Sequence, residues 1–118
     1  FREALQEVVK GTEGGVAALV MGFDGIPVDH YVRDDGELDV ETIGMEYSVV
    51  LKDIQKAADM LDAGKAQEVA VRAERMTTVM RLINDQYFVA LAIAPEGNVG
   101  RGRYLLRTRV GAMRDALE

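Results

Sequence analysis

An apolar run at Tyr87–Ala94 is followed by a glycine-rich segment, Pro95–Arg103, and then by an amphipathic helical pattern. Strand, glycine-rich turn and helix are the parts of a nucleotide-binding unit. However, a phosphate-binding loop needs Lys and then Ser or Thr after its last glycine, where this chain has Arg103 and Tyr104. The glycines also run in the reverse of the dinucleotide-binding spacing. We therefore interpret the segment as a helix start with Asn98 as its N-cap.

The length and composition indicate a single globular domain spanning residues 1–118. Of the 118 residues, 48% are hydrophobic and 29% are charged, and one core suffices for a chain of this size. No apolar run approaches the ~20 residues of a bilayer span, so no membrane insertion is expected. The absence of Cys excludes disulfides and cysteine-based zinc sites and is consistent with a cytoplasmic location. The chain begins with Phe1, so we expect the natural N-terminus to lie upstream.

The charges are unevenly distributed along the chain. A net charge of −6 argues against a nucleic-acid partner, because phosphate binding needs a basic surface. The segment from Asp34 to Glu46 holds six acidic residues and no base, whereas five arginines lie between Arg101 and Arg114. We consider four of these as candidate partner-binding residues: Arg101, Arg103, Arg107 and Arg114. A solvated helix flank explains the same arginines equally well, so both interpretations stay open.

Hydrophobic periodicity and turn signals predict the order α-β-β-α-β-β-β-α. The predicted elements are a helix from Phe1 to about Lys10, a hairpin of Val16–Met21 and Ile26–Val32, a long helix from Val40 or Glu41 to about Asp62, strands at Gln67–Glu74, Met76–Ile83 and Tyr87–Ala94, and a final helix. This order predicts an α+β fold with a five-stranded antiparallel sheet. The long helix should cover one face and the two terminal helices the other. Pro27 places the second strand at an edge, and the apolar last strand should be central.

The long helix carries two apolar arcs. The wider arc, expected to face the sheet, consists of Ile43, Tyr47, Val50, Ile54, Ala57, Ala58 and Leu61. Val49 and Met60 form a second arc, with Asp53 and Lys56 between them. A second apolar edge indicates a second contact surface. The alternating strand that follows also needs a partner for its open edge.

We therefore predict a homodimer in which the two long helices run antiparallel about a two-fold axis near Ile54 and Gln55. In this register Val49 meets Met60 of the second copy and Asp53 meets Lys56. The predicted interface residues are Val49, Asp53, Lys56, Met60, Glu68, Ala70 and Arg72.

The residues that usually carry catalysis are scarce. His30 is the only histidine, and the only serine, Ser48, lies within a predicted helix without a nucleophile motif. The acidic residues Asp34, Asp35, Glu37 and Asp39 lack the spacing of a calcium loop. We therefore predict a protein that is not an enzyme and has no metal or cofactor.

Two segments resemble a known family. Gly15–Val28, with its strand, Asp-Gly turn and Ile-Pro strand, resembles the opening hairpin of the roadblock family, which includes the roadblock-type dynein light chains and bacterial relatives. Asn98–Arg107 resembles that family's entry into its last helix. The resemblance implies a non-enzymatic subunit that dimerises through the long helix and third strand. It also implies binding to a small Ras-like GTPase or a motor component, in bacteria as a GTPase-activating or polarity factor.

The resemblance leaves two functional hypotheses. The preferred one is a GTPase-regulating scaffold, to which Arg81, Arg101 or Arg103 could supply an arginine in trans. The alternative is a small-ligand sensory domain with a profilin- or PAS-like sheet. The absence of Trp and an aromatic content of 6% argue against the sensor, because the apolar residues only suffice to fill the core.

Overall fold

A computed structural model describes residues 1–34 and 38–118, and the predicted acidic residues Asp35 and Glu37 lie outside these ranges. The elements are α1 (Arg2–Gly11), β1 (Gly15–Gly22), β2 (Pro27–Val32), α2 (Val40–Met60), β3 (Glu68–Arg72), β4 (Thr77–Leu82), β5 (Tyr87–Ile93) and α3 (Val99–Leu117). The α+β class and the element order are as predicted. The boundaries differ from the prediction by one or two residues at most ends.

The five strands form one antiparallel sheet in the order β2-β1-β5-β4-β3. The central position of β5 confirms the expectation drawn from its apolar sequence, and all but its first residue are buried. The strand that contains Pro27 lies at one edge, where the missing N–H costs no ladder hydrogen bond. The opposite edge is β3, whose outer side has no partner strand among the described residues.

The turn between β1 and β2 explains why the hairpin could be recognised from its sequence. Gly25 has a φ of +87°, a conformation that other residues rarely adopt. The Asp24 carboxylate accepts a hydrogen bond of 3.0 Å from the Ile26 backbone N–H. The turn chemistry is therefore local and independent of the rest of the fold.

Two hydrophobic clusters lie on opposite faces of the sheet. The first joins α1 and α3 to the sheet and includes Leu5, Val8, Leu91, Ile93, Leu106 and Val110. The second lies beneath α2 and includes Leu19, Met21, Leu51, Met80 and Phe88. The terminal helices therefore share one face and α2 covers the other, as predicted. The α3 residues predicted to face the core do so, with Leu106, Val110 and Met113 buried.

The start of α2 is fixed by a side-chain cap. The Asp39 carboxylate accepts hydrogen bonds from the Thr42 hydroxyl at 2.7 Å and from the Thr42 backbone N–H at 3.1 Å. These bonds lower the pKa of Asp39 below its ordinary value, the hydroxyl bond being the main cause. The helix ends where Asp62 and Gly64 take positive φ angles of 55° and 84°.

The rotation of α2 about its axis differs from the prediction. The buried residues are Val40, Gly44, Ser48 and Leu51, so the buried face is turned by about 80° from the predicted arc. Val50, Ala57 and Leu61 were expected to face the sheet and are instead exposed. The reason is close packing, since a Cβ atom at Gly44 would collide with the side chains of Leu19 and Met21. A pattern that weights large apolar residues misses a face built from Gly and Ser.

We predict that Gly44→Leu lowers the free energy of unfolding by about 1–3 kcal/mol, because the new side chain competes for the space of Leu19 and Met21. The matched control is Gly111→Leu in α3, where an added Cβ meets nothing within 4 Å. There the better helix propensity should raise the free energy of unfolding by under ~1 kcal/mol. Urea denaturation at one chain concentration measures both variants, and equal effects would contradict the packing of α2 described above.

Candidate interaction site

An exposed row of apolar side chains runs along α2. Val49, Val50, Met60 and Leu61 are 58%, 43%, 89% and 78% exposed, and Ala57 lies exposed between them. We call these five residues the α2 apolar band. Scattered apolar side chains are common on protein surfaces, whereas several large exposed ones on one helix favour a contact surface.

The apolar residues of the edge strand β3 lie on the α2 side of the sheet. Val69 and Val71 are half-buried and pack against the hydrophobic cluster beneath α2. An unpaired edge strand exposes backbone N–H and C=O groups to pairing with another chain, and proteins normally cover it. The α2 apolar band and the β3 edge therefore give the α2 side of the sheet two features that favour association.

Five further residues predicted for the dimer interface differ in whether their side chains are free or bonded within the chain. Asp53 and Lys56 are exposed on α2, as are Ala70 and Arg72 on β3. Glu68 differs, because its carboxylate is used within the chain. It accepts hydrogen bonds from Arg103 at 2.5 and 2.9 Å and lies 3.6 Å from the Arg81 guanidinium. Only the backbone of Glu68 is left for a contact along the strand edge.

The structure divides the four arginines predicted to bind a partner. The guanidinium carbons of Arg101 and Arg107 lie 5.5 and 5.6 Å from the centroid of the Tyr104 ring. Arg103 bonds to Glu68, which raises the pKa of the Arg103 guanidinium. Arg114 lies apart from them, because its Nε donates a hydrogen bond of 2.8 Å to the Ile83 carbonyl.

Sequence reasoning missed the role of Tyr104. The signal was present, because residues three apart on a helix are neighbours and Arg101, Tyr104 and Arg107 follow that spacing. Tyr104 and Arg107 line a cleft of about 310 Å³ together with Glu68, Arg81, Gly100 and Arg103. Arg101 is not part of this lining and lies next to the Tyr104 ring.

A larger surface cleft of about 610 Å³ lies beside the C-terminal half of α2. Its wall contains an ion pair between Lys65 and Asp85 at 2.7 Å, which raises the pKa of Lys65. It is lined by residues of α2, of the segment before β3 and of the β4–β5 turn, by Arg114 of α3, and by Phe23, Leu51 and Leu82 at the border of the hydrophobic cluster beneath α2. Among the described residues, no buried side-chain N or O atom lacks a hydrogen-bond partner. The described core therefore offers no unsatisfied polar group to a buried ligand.

The potential catalytic residues lie in unrelated places. The Ser48 hydroxyl donates a hydrogen bond of 2.7 Å to the Met45 carbonyl within α2. The His30 Nδ1 lies 3.9 Å from the Glu41 carboxylate. Residues 1–34 and 38–118 contain no cluster of three or more potential metal ligands. In the same ranges, no helix is both long enough and apolar enough to cross a bilayer.

Comparison with known proteins identifies the fold and the family. No family model and no curated protein matches the chain. Among solved structures, the Roadblock/LC7 domain from Streptomyces avermitilis superposes with a TM-score of 0.87 at 14% identity, over 99% of this chain and 97% of that one. MglC from Myxococcus xanthus is 42% identical over 97% of this chain and 96% of MglC, with a TM-score of 0.70. The chain belongs to the roadblock family.

Other solved structures share the roadblock fold. The gliding protein MglB from Thermus thermophilus has a TM-score of 0.84 at 18% identity, over 96% of this chain and 84% of that one. The segments that carried the resemblance form the expected parts of this roadblock domain. Gly15–Val28 forms β1, the turn and the start of β2, and Asn98 caps α3 by accepting a hydrogen bond of 2.9 Å from the Arg101 N–H. Gly102 lets α3 lie close to β5, because a Cβ there would be 2.8 Å from Leu91 Cδ2.

Proposed function

We propose that this roadblock protein is a homodimeric, non-enzymatic scaffold or regulator of a small Ras-like GTPase in the cytoplasm. The single observation that carries the proposal is the α2 apolar band beside a sheet whose β3 edge is unpaired among the described residues. The similarity to MglC supports it, as do the fold shared with the gliding protein MglB and an MglB structure with a tetrameric arrangement. In this proposal the second copy covers the band and the edge together.

The proposed dimer brings α2 against α2 of the second copy in antiparallel orientation. Val49 then packs against Met60 of the other chain, and Asp53 pairs with Lys56. Because Val50 and Leu61 are also exposed, they enlarge the apolar part of the same contact. In this register the Asp53–Lys56 pairs lie nearest the two-fold axis, and the apolar pairs lie on both sides of them.

The proposal assigns no catalytic residue to this chain. His30 lies beside the Glu41 carboxylate, whereas the Ser48 hydroxyl donates its hydrogen bond to the Met45 carbonyl, so the two are not paired with each other. An arginine acting in trans on a GTPase must be free to reach the transferred phosphoryl group. Arg81 and Arg103 already contact Glu68, so Arg101 is the arginine of the predicted three that best suits this role.

We predict that Val50→Glu weakens the dimer at least about tenfold, because it places a charge within an apolar contact. The matched control is Val28→Glu. Val28 is also an exposed valine, but it lies on β2, at the sheet edge opposite β3. Dissociation constants from isothermal dilution calorimetry compare the variants. If the two substitutions weaken association equally, the α2 apolar band is not the contact.

The register of the two helices has a separate test. Asp53→Lys should weaken association, because it places two positive charges opposite each other, and adding Lys56→Asp should restore much of the loss. A double-mutant cycle measured by the same calorimetry reports the coupling. An unchanged dissociation constant for the single variant would exclude this register while leaving the band itself untouched.

We predict that the isolated protein neither binds nor hydrolyses GTP, and that it alters GTP turnover only when a Ras-like GTPase is present. Titration with labelled GTP up to millimolar concentration should show no binding. Adding the protein to the Ras-like GTPase of the same organism should change the single-turnover hydrolysis or nucleotide-release rate. Stoichiometric GTP binding by the chain alone would contradict the proposal and make the glycine-rich turn before α3 a ligand site.

A further inference from the structure

Four arginine side chains gather on the α3 side of the sheet edge. Arg81, Arg103 and Arg107 line the cleft with Tyr104, and Arg101 lies next to the Tyr104 ring. We call these four arginines, together with Tyr104, the arginine cluster. We propose that the arginine cluster is a binding site for a carboxylate-rich segment of a partner protein. This proposal goes beyond GTPase regulation and does not depend on the dimer.

The charge balance at the cluster favours an anion. Glu68 is the one acidic residue that lines the cleft in the described part of the chain, and it already contacts both Arg81 and Arg103. Within the same ranges, neither Arg101 nor Arg107 has a carboxylate within 4.0 Å. The cleft lining therefore holds three guanidinium groups and one carboxylate, with the Arg101 guanidinium next to the Tyr104 ring, in a protein whose net charge is −6. Positive charge is therefore concentrated at the arginine cluster although the net charge of the chain is negative.

The arginines are also held in position before any ligand arrives. Glu68 anchors Arg103 with two hydrogen bonds to the same oxygen, at 2.5 and 2.9 Å. The Tyr104 ring holds Arg101 and Arg107, which lie on the neighbouring turns of the helix. Ordering a long side chain on binding costs free energy, so arginines that are already ordered bind an anion with less loss.

The cluster suits an acidic peptide better than a nucleic acid. A polynucleotide carries closely spaced phosphates along an extended backbone and would also meet the negative charge of the remaining surface. Guanidinium groups match carboxylates in bidentate geometry. The half-exposed Tyr104 ring also offers an apolar surface to the aliphatic parts of a peptide. The cleft of about 310 Å³ has room for a few side chains of a bound peptide.

The cluster and the α2 apolar band lie on opposite faces of the sheet. Val69 and Val71 pack against the hydrophobic cluster beneath α2, whereas Glu68 points to the other face and bonds to α3. Because side chains alternate along a strand, β3 separates the two surfaces. A segment bound at the cluster would therefore contact a different face of the sheet from a second copy packed on the band.

The test uses the full chain and a fluorescein-labelled peptide of ten glutamates. Fluorescence anisotropy should show binding that weakens as salt is raised. The double variant Arg101→Glu with Arg107→Glu should bind at least about tenfold more weakly, because it removes charge-assisted hydrogen bonds. Arg109→Glu is the matched control, since Arg109 lies on the same helix, pairs with Glu7 at 3.2 Å and does not line the cleft. It should leave the affinity within about twofold.

Tyr104→Ala separates a specific site from a general charge effect. It leaves the net charge unchanged but removes the ring that orients two arginines, and we expect binding to weaken severalfold. The proposal is overturned by failure of the wild-type protein to bind the peptide, or by equal losses in the double variant and the Arg109→Glu control. It is also overturned if Tyr104→Ala has no effect, or if a ten-nucleotide oligouridine binds more tightly than the peptide.

Discussion

The close approach of Gly44 to the side chains of Leu19 and Met21 determines which surface this domain presents. A helix that packs on a sheet through Gly44 and Ser48 can lie nearer to β1 than one that packs through larger residues. Once this contact is made, the rotation of α2 about its axis is set. Val50 and Leu61 must then point outward, where they join Val49 and Met60. The exposed apolar band is thus a consequence of how tightly the opposite face is packed.

The second constraint is the position of β3 at the edge of the sheet. This strand borders both candidate surfaces, since Val69 and Val71 face the α2 side and Glu68 faces α3. Its salt bridge to Arg103 ties the edge strand to the helix, and the same Glu68 carboxylate contacts Arg81. The interface proposed for a second copy and the arginine cluster are therefore built on two faces of one short strand. A partner that binds β3 on one face would stabilise this strand, which also carries the binding surface on its other face.

Most of the fold could be predicted from the sequence because its determinants are local. The Asp24–Gly25 turn, the edge position of Pro27, the Asn98 cap and the buried central strand depend on nearby residues or on simple alternation. The rotation of α2 could not be predicted, since Gly44 and Ser48 add nothing to a hydrophobic pattern, yet they form its packed face. The arginines of α3 could be identified from the sequence as a group of candidate partner-binding residues. The different contacts of Arg103 and Arg114 could not be predicted, because they depend on Glu68 and Ile83, which are distant in sequence.

The central claim is that the face bearing the α2 apolar band is covered by a second copy of this chain. Sedimentation equilibrium of the unlabelled wild-type protein at micromolar concentration tests it most directly, because the method reports mass without assuming a shape. Our account predicts a species of twice the 12.9 kDa chain mass that dissociates on dilution. A single species of 12.9 kDa throughout that concentration range would contradict it.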